Sequence, residues 1–142
     1  MSKNAEFTDK LRSSGLRPTK QRLKICEVLF NRDYTFHFTV NDLVKKISNE
    51  MNEKISLATV YNTVHAFKKK GYLKEISINS DKSYFDTNTS NHHHFFDEDT
   101  NELIDCDDGV IETPRIKKNI SGKKINSVEV LIKVATDNQN QK

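Results

Sequence analysis

The sequence predicts an α+β protein in two parts: a winged helix-turn-helix over residues 1–85, then a small α/β dimerisation domain over residues 86–136, with a polar, disordered tail at 137–142. Three observations carry this reading. Apolar residues recur every three or four positions in successive segments of the first half, the mark of helices that bury one face. Two short β-rich runs joined by a polar turn follow Gly71. The charge is divided, with 16 Lys/Arg against 9 Asp/Glu in residues 1–85, a net of +7, and 7 against 11 in residues 86–142, a net of −4. A basic half joined to an acidic half suits a first part that meets a polyanion and a second that does something else.

Taken in order, Phe7–Ser14 reads as a short helix stopped by Gly15. After the turn Gly15–Thr19, Thr19 is an N-cap and Leu23, Ile25, Cys26, Val28, Leu29 and Phe30 give Lys20–Phe30 a broad apolar face. Thr39 caps a further helix with Val40, Leu43, Val44 and Ile47 at helical spacing. Another opens at Ser56, where Leu57, Val60, Val64 and Phe67 form the inward stripe. Lys68-Lys69-Lys70 suits the negative end of its dipole, and Gly71 ends it. Tyr72–Ile78 and Ser83–Asp86 then read as the strands of a hairpin through Asn79-Ser80-Asp81-Lys82. Helices followed by a hairpin is the order of a winged helix-turn-helix, whose last helix enters the major groove of duplex DNA.

In the second half, His92–Phe96 and Glu102–Cys106 read as strands around an acidic turn, Val110–Asn119 as a helix, and Ser127–Ala135 as a strand with Val128, Val130, Ile132 and Val134 on one face. So short a sheet exposes its edges and makes little core, which pairing with a second copy would remedy.

Other classes fit less well. No apolar run approaches the ~20 residues of a membrane span, and Met1–Lys10 has no signal-peptide core; the expected location is the cytoplasm, with no membrane partner. Cys26 and Cys106 form no Cys-x-x-Cys pair, and Cys26 falls on an apolar helix face. No nucleophile elbow and no Gly-rich phosphate loop occurs, so no catalytic residue is assigned.

The helix from Ser56 offers Ala58, Thr59, Tyr61 and Asn62 near its start, small or hydrogen-bonding groups that touch thymine methyls and base edges. Thr59, Tyr61, Lys68 and Lys69 are also placed to meet phosphates.

Leu16-Arg17-Pro18-Thr19, with Gln21-Arg22-Leu23, and Ser56-Leu57-Ala58-Thr59-Val60-Tyr61-Asn62-Thr63 resemble the ferric uptake regulator (Fur) superfamily. The segment Lys82–Asp86 and the triplet His92-His93-His94 fit as well, and the resemblance spans roughly residues 7–135. It implies a homodimeric regulator, usually a repressor, of A/T-rich inverted repeats, with Tyr61 on bases in the major groove and Arg17 in the minor groove. It also implies a regulatory metal site of His37, Asp86, His92, His94 and Asp105, spaced most like the peroxide-sensing branch. Strand alternation puts His92 and His94 on one face and His93 on the other. Imidazole and carboxylate donors suit Fe(II) or Mn(II), and Zn(II) in purified protein.

Asp97 and Thr100 stand where many relatives carry the first cysteines of a structural zinc site, so no zinc held by four cysteines is expected. His93 and Glu112 occupy plausible positions for a second metal or for haem. The run His92–Phe96, then Asn101–Asp105, is most similar to the iron response regulator (Irr) branch, which implies iron homeostasis and a response to haem. A metal- or peroxide-sensing repressor is the alternative regulator. Two remoter readings are a non-haem iron enzyme with a facial triad and an architectural DNA binder that needs no ligand.

Overall fold

Every helix opens on a hydroxyl side chain that receives a backbone N–H of its first turn. Ser2 accepts from Ala5, Thr19 from Arg22, Thr39 from Asp42 and Ser56 from Thr59, at 3.0–3.2 Å. These caps start α1 (Lys3–Ser13), α2 (Lys20–Phe30), α3 (Val40–Met51) and α4 (Leu57–Lys70). The cap at Ser2 extends α1 four residues ahead of its expected start at Phe7. Gly71 ends α4 at φ 94°, a left-handed conformation that a Cβ disfavours.

The computed structural model describes residues 2–138 and comprises two compact units, Met1–Thr89 and Ser90–Lys142. The first holds the helices and a three-stranded antiparallel sheet in the order β1-β3-β2, built from β1 (His37–Phe38), β2 (Lys74–Asn79) and β3 (Lys82–Asp86). β2 and β3 are the expected wing, closed by an Asx turn in which Asn79 Oδ1 accepts from Asp81 N at 2.9 Å. β1 is an addition to the sequence reading. It pairs Phe38 with Phe85 and His37 with Asp86. Phe36 N also donates to Thr87 Oγ1 at 3.1 Å, so the chain stays with the first unit past the expected boundary at 85/86.

The core of this unit joins Leu11 of α1, Ile25 and Leu29 of α2, Leu43 and Ile47 of α3, Val60, Val64 and Phe67 of α4, and Phe38 and Phe85 of the sheet, all buried. Cys26 lies in the same core. Leu57 corrects the expected stripe: it is 54% exposed. Helical side chains lean toward the N-terminus, so this first residue projects beyond the turn that reaches the core.

The second unit is a three-stranded sheet in the order β5-β4-β6, from β4 (His94–Asp97), β5 (Glu102–Asp105) and β6 (Leu131–Val134). β4 is antiparallel to β5 and parallel to β6. Val110–Asn119 forms no helix, contrary to the sequence reading, and no regular element is found among the described residues between β5 and β6. Val110, Ile111, Thr113, Ile116 and Ile120 are β-branched and Pro114 interrupts the run; such a segment holds a helix only when packing supports it, and Val110, Ile116 and Ile120 are exposed. The α+β class is thus carried by helices of the first unit alone. Most of the expected tail, from residue 139 on, lies outside the described residues, and Asp137 and Asn138 are exposed. No helix is long and apolar enough to cross a membrane among the described residues.

Candidate DNA-binding face and metal-ligand clusters

The N-terminal part of α4 presents Ala58, Tyr61 and Asn62 to solvent, as the sequence predicts; Thr59 is half-buried, and its hydroxyl meets Ser56 Oγ at 2.8 Å. Leu57 joins this exposed group, an apolar side chain that the periodicity had assigned to the core. Arg17 is exposed just before α2, and its carbonyl accepts from the Arg22 guanidinium at 3.0 Å. Arg17, Thr19, Lys20, Gln21, Arg22 and Thr59 line an open groove of about 450 Å³. The groove therefore links the start of α2 to the start of α4 through a basic surface, the arrangement that tracks a phosphate backbone. Lys68 is instead held at the wing, with Nζ 2.6 Å from Glu75 Oε1. That contact, with a bond from Ser83, holds the Glu75 carboxyl below its usual range.

The β1–β3 pairing separates two kinds of side chain by strand alternation. Phe38 and Phe85 turn toward the helical core, their rings stacked at 5.9 Å. His37 and Asp86 occupy the neighbouring register pair, with Nε2 3.1 Å from Oδ2. Asp86 is buried and its other oxygen accepts from Asn88 N at 2.8 Å. Lys74 stands opposite Asp86 in β2; burial lowers its ammonium pKa, and the Asp86 charge offsets part of that.

A second cluster lies in the other unit. His92 Nε2 and His94 Nε2 each lie 3.1 Å from the same oxygen, Asp105 Oδ1. The pairing of His94 with Asp105 across β4–β5 brings the carboxylate to the imidazoles. His92 precedes the strand, and its ring still sits 4.3 Å from that of His94. His92 Nδ1 lies 2.8 Å from the Ser90 carbonyl, the outer hydrogen bond that orients a ligating imidazole. Neighbouring N and O ligands about 2.1 Å from one first-row ion are separated by roughly 3 Å, so His92, His94 and Asp105 have spacing and donor chemistry that fit a divalent metal, while His37 and Asp86 offer one imidazole and one carboxylate at the same spacing.

His93 is separated from this group. Its Nδ1 accepts from Val130 N at 2.8 Å, so the neutral ring carries its proton on Nε2 and has no free lone pair for a metal or haem. Glu112 is exposed, and among the described residues no group of three or more possible ligands includes His93 or Glu112. Asp97 closes the β4–β5 turn: its Oδ1 accepts from Asp99 N at 2.9 Å and Thr100 N at 3.3 Å.

A winged helix-turn-helix with an exposed, basic reading face, accompanied by His/Asp clusters, defines a DNA-binding regulator of the metal-responsive kind. Residues 13–134 match the ferric uptake regulator family, and the chain belongs to that family. It is 31% identical over 121 residues to the peroxide operon regulator of Bacillus subtilis, covering 84% of this chain and 81% of the relative. To the ferric uptake regulation protein of Vibrio parahaemolyticus it is 38% identical over 103 residues, 72% of this chain and 68% of the relative. The ferric uptake regulator of Pseudomonas aeruginosa, solved with manganese, superposes with a TM-score of 0.64 at 26% identity over 96% of this chain and 98% of that one. That of Vibrio cholerae gives 0.66 at 26% identity, over 91% and 98%. Members of the family are transcription regulators and not enzymes, so the chain is a DNA-binding transcriptional regulator and the non-haem iron enzyme is set aside.

Proposed function

We propose that this chain is a homodimeric regulator of iron homeostasis that binds A/T-rich inverted repeats tightly when Fe(II), or Mn(II) in its place, is bound. The observation that carries the reading is the shared carboxylate, with His92 and His94 both 3.1 Å from Asp105 Oδ1. His37 and Asp86 repeat the imidazole–carboxylate spacing in the other unit. Following the family resemblance, we assign His37, Asp86, His92, His94 and Asp105 as metal ligands. In a dimer the spacing of the two recognition helices sets DNA affinity, and we assign control of that spacing to the metal. Tyr61 is assigned to bases in the major groove, Ala58 and Asn62 beside it, Thr59 to the phosphates, Lys68 to a phosphate that would compete with Glu75 for its ammonium, and Arg17 to the narrow minor groove of A-tracts. Dimerisation is supported by exposed Val110, Ile116, Ile120 and Ile125 and by the open edges of β5 and β6.

The iron response branch is a second reading, supported by the triplet His92-His93-His94. With His93 engaged by Val130, haem would rest on His92 and His94, the same nitrogens the metal uses. Fluorescence anisotropy on an A/T-rich inverted-repeat duplex separates the readings. The chelator-stripped protein should bind weakly, Mn(II) should tighten binding, and His37→Ala or His94→Ala should remove the response. Loss of binding on adding haem would favour the iron response branch; sensitivity of an Fe(II)-loaded sample to hydrogen peroxide would favour the peroxide-sensing alternative. Equal affinity with and without Mn(II) overturns the metal switch and leaves a DNA-binding regulator.

A further inference from the structure

We propose that His65 is a positioning residue for DNA recognition, its imidazole serving as the platform that holds the Tyr61 ring in the orientation presented to the groove. The inference rests on the reading of Tyr61 as a base-contacting side chain.

Tyr61 is 50% exposed, and an aromatic ring on an open helix face is free to turn among its rotamers until something fixes it. His65 lies one turn further along α4 on the same face. Its ring centroid is 4.0 Å from that of Tyr61, with the planes 32° apart. On its other side His65 meets Phe85 edge-on, at 5.4 Å and 78°. Phe85 is buried and stacked with Phe38. The imidazole thus joins an exposed ring to rings that cannot move without opening the core. A side chain fixed before binding loses less entropy when it docks.

The chemistry favours a planar ring at position 65. One face stacks on the phenol and the rim packs against the face or edge of Phe85, the offset and T-shaped arrangements that aromatic pairs prefer. His65 is half-buried, so the ring meets both the exposed phenol and the buried Phe85. A branched aliphatic residue would fill the space without offering a flat surface. An ordinary contact between helix neighbours would leave DNA binding unchanged when removed.

The test uses the full chain with Mn(II) and anisotropy on two duplexes of equal length, an A/T-rich inverted repeat and a G/C-rich control. His65→Ala should weaken binding to the A/T-rich duplex about two- to tenfold, the scale of one aromatic pair, while the control affinity and the thermal midpoint stay at parent values. His65→Phe should restore affinity and His65→Leu should not. In the Tyr61→Ala background, His65→Ala should cost nothing further, because coupled residues are not additive. Additive losses, restoration by leucine equal to that by phenylalanine, or an equal loss on both duplexes with a lower midpoint would overturn the positioning role. If Tyr61→Ala weakens binding and His65→Ala does not, the positioning role alone falls. If Tyr61→Ala has no effect, the reading of the recognition helix falls and this inference with it.

Discussion

Phe67 and Phe96 are both buried aromatic residues, one in each unit, yet their surroundings differ. Phe67 sits among four helices, edge-on to Phe30 at 5.5 Å and to Tyr72 at 6.0 Å. Phe96 lies in a three-stranded sheet where, among the described residues of its unit, only Leu103 and His94 are buried with it. Val110, Ile116, Ile120 and Ile125 of the same unit are 44–73% exposed. The first unit closes its own core. The second has apolar surface to spare and too few buried side chains to offset the entropy of ordering the chain. Reading DNA is assigned to the part that stands alone, and assembly to the part that does not.

This contrast can be broken at several points. The largest effect should come from Phe67→Ala, which should cost about 3–5 kcal/mol of unfolding free energy at any protein concentration. Urea unfolding at two concentrations checks this. Phe96→Ala should instead give a loss that shrinks as protein concentration rises, because association stabilises the folded state by mass action. A concentration-independent loss there would mean that the second unit closes its own core too.

A smaller effect is expected at the β4–β5 turn that Asp97 closes. Asp97→Ala removes two backbone hydrogen bonds and should cost about 1–2 kcal/mol, whereas Asp97→Asn should keep most of the stability. Thermal melts of the two variants test this, and equal losses would show that the carboxylate charge matters more than the turn.

The mildest probe uses the two thiols, one per unit. Burial pushes the Cys26 thiol up to about 12 from an ordinary 9.0, whereas Cys106 is half-exposed, its pKa raised by burial and by Asp105 and Asp107. At pH 8 a maleimide should label Cys106 well before Cys26, since the thiolate is the reacting form. The sign for stability follows from the same shift. Below pH 9 both folded and unfolded chains keep the Cys26 proton and the contribution is whole; as pH rises toward 12 only the unfolded thiol ionises, and stability is lost. Cys26→Ala should flatten that alkaline decline.

The features legible in the sequence are those that local chemistry dictates. Thr19, Thr39 and Ser56 announce the helix starts because a cap is a contact between residues three apart, and Gly71 marks a stop. The expected strand at His92–Phe96 begins only at His94, so His92 and His94 come together through their shared contact with Asp105 rather than by alternation. The features missed depend on partners far along the chain. β1 is two residues long and exists because β3 lies beside it. Leu57 fits the apolar stripe but precedes the packed turn. Val110–Asn119 reads as a helix, but Val110 and Ile116 are exposed and no core among the described residues supports one. Nothing local to His65 signals its neighbour Phe85, which the wing delivers. His37 and Asp86 entered the reading through family resemblance, and no local pattern announces their register.

The parallel pairing of β4 with β6 carries a consequence for how the chain is made. The Val130 N–H reaches back 37 residues to His93, and the Val130 carbonyl accepts from His94 N at 3.1 Å. Synthesis delivers residues 1–89 well before β6, and domains fold as units in the order they emerge. Contacts of long sequence separation form late. A nascent chain therefore completes its DNA-reading unit while the sheet that seats His94 still lacks one edge, and the imidazole takes its final place only once Leu131–Val134 has been added.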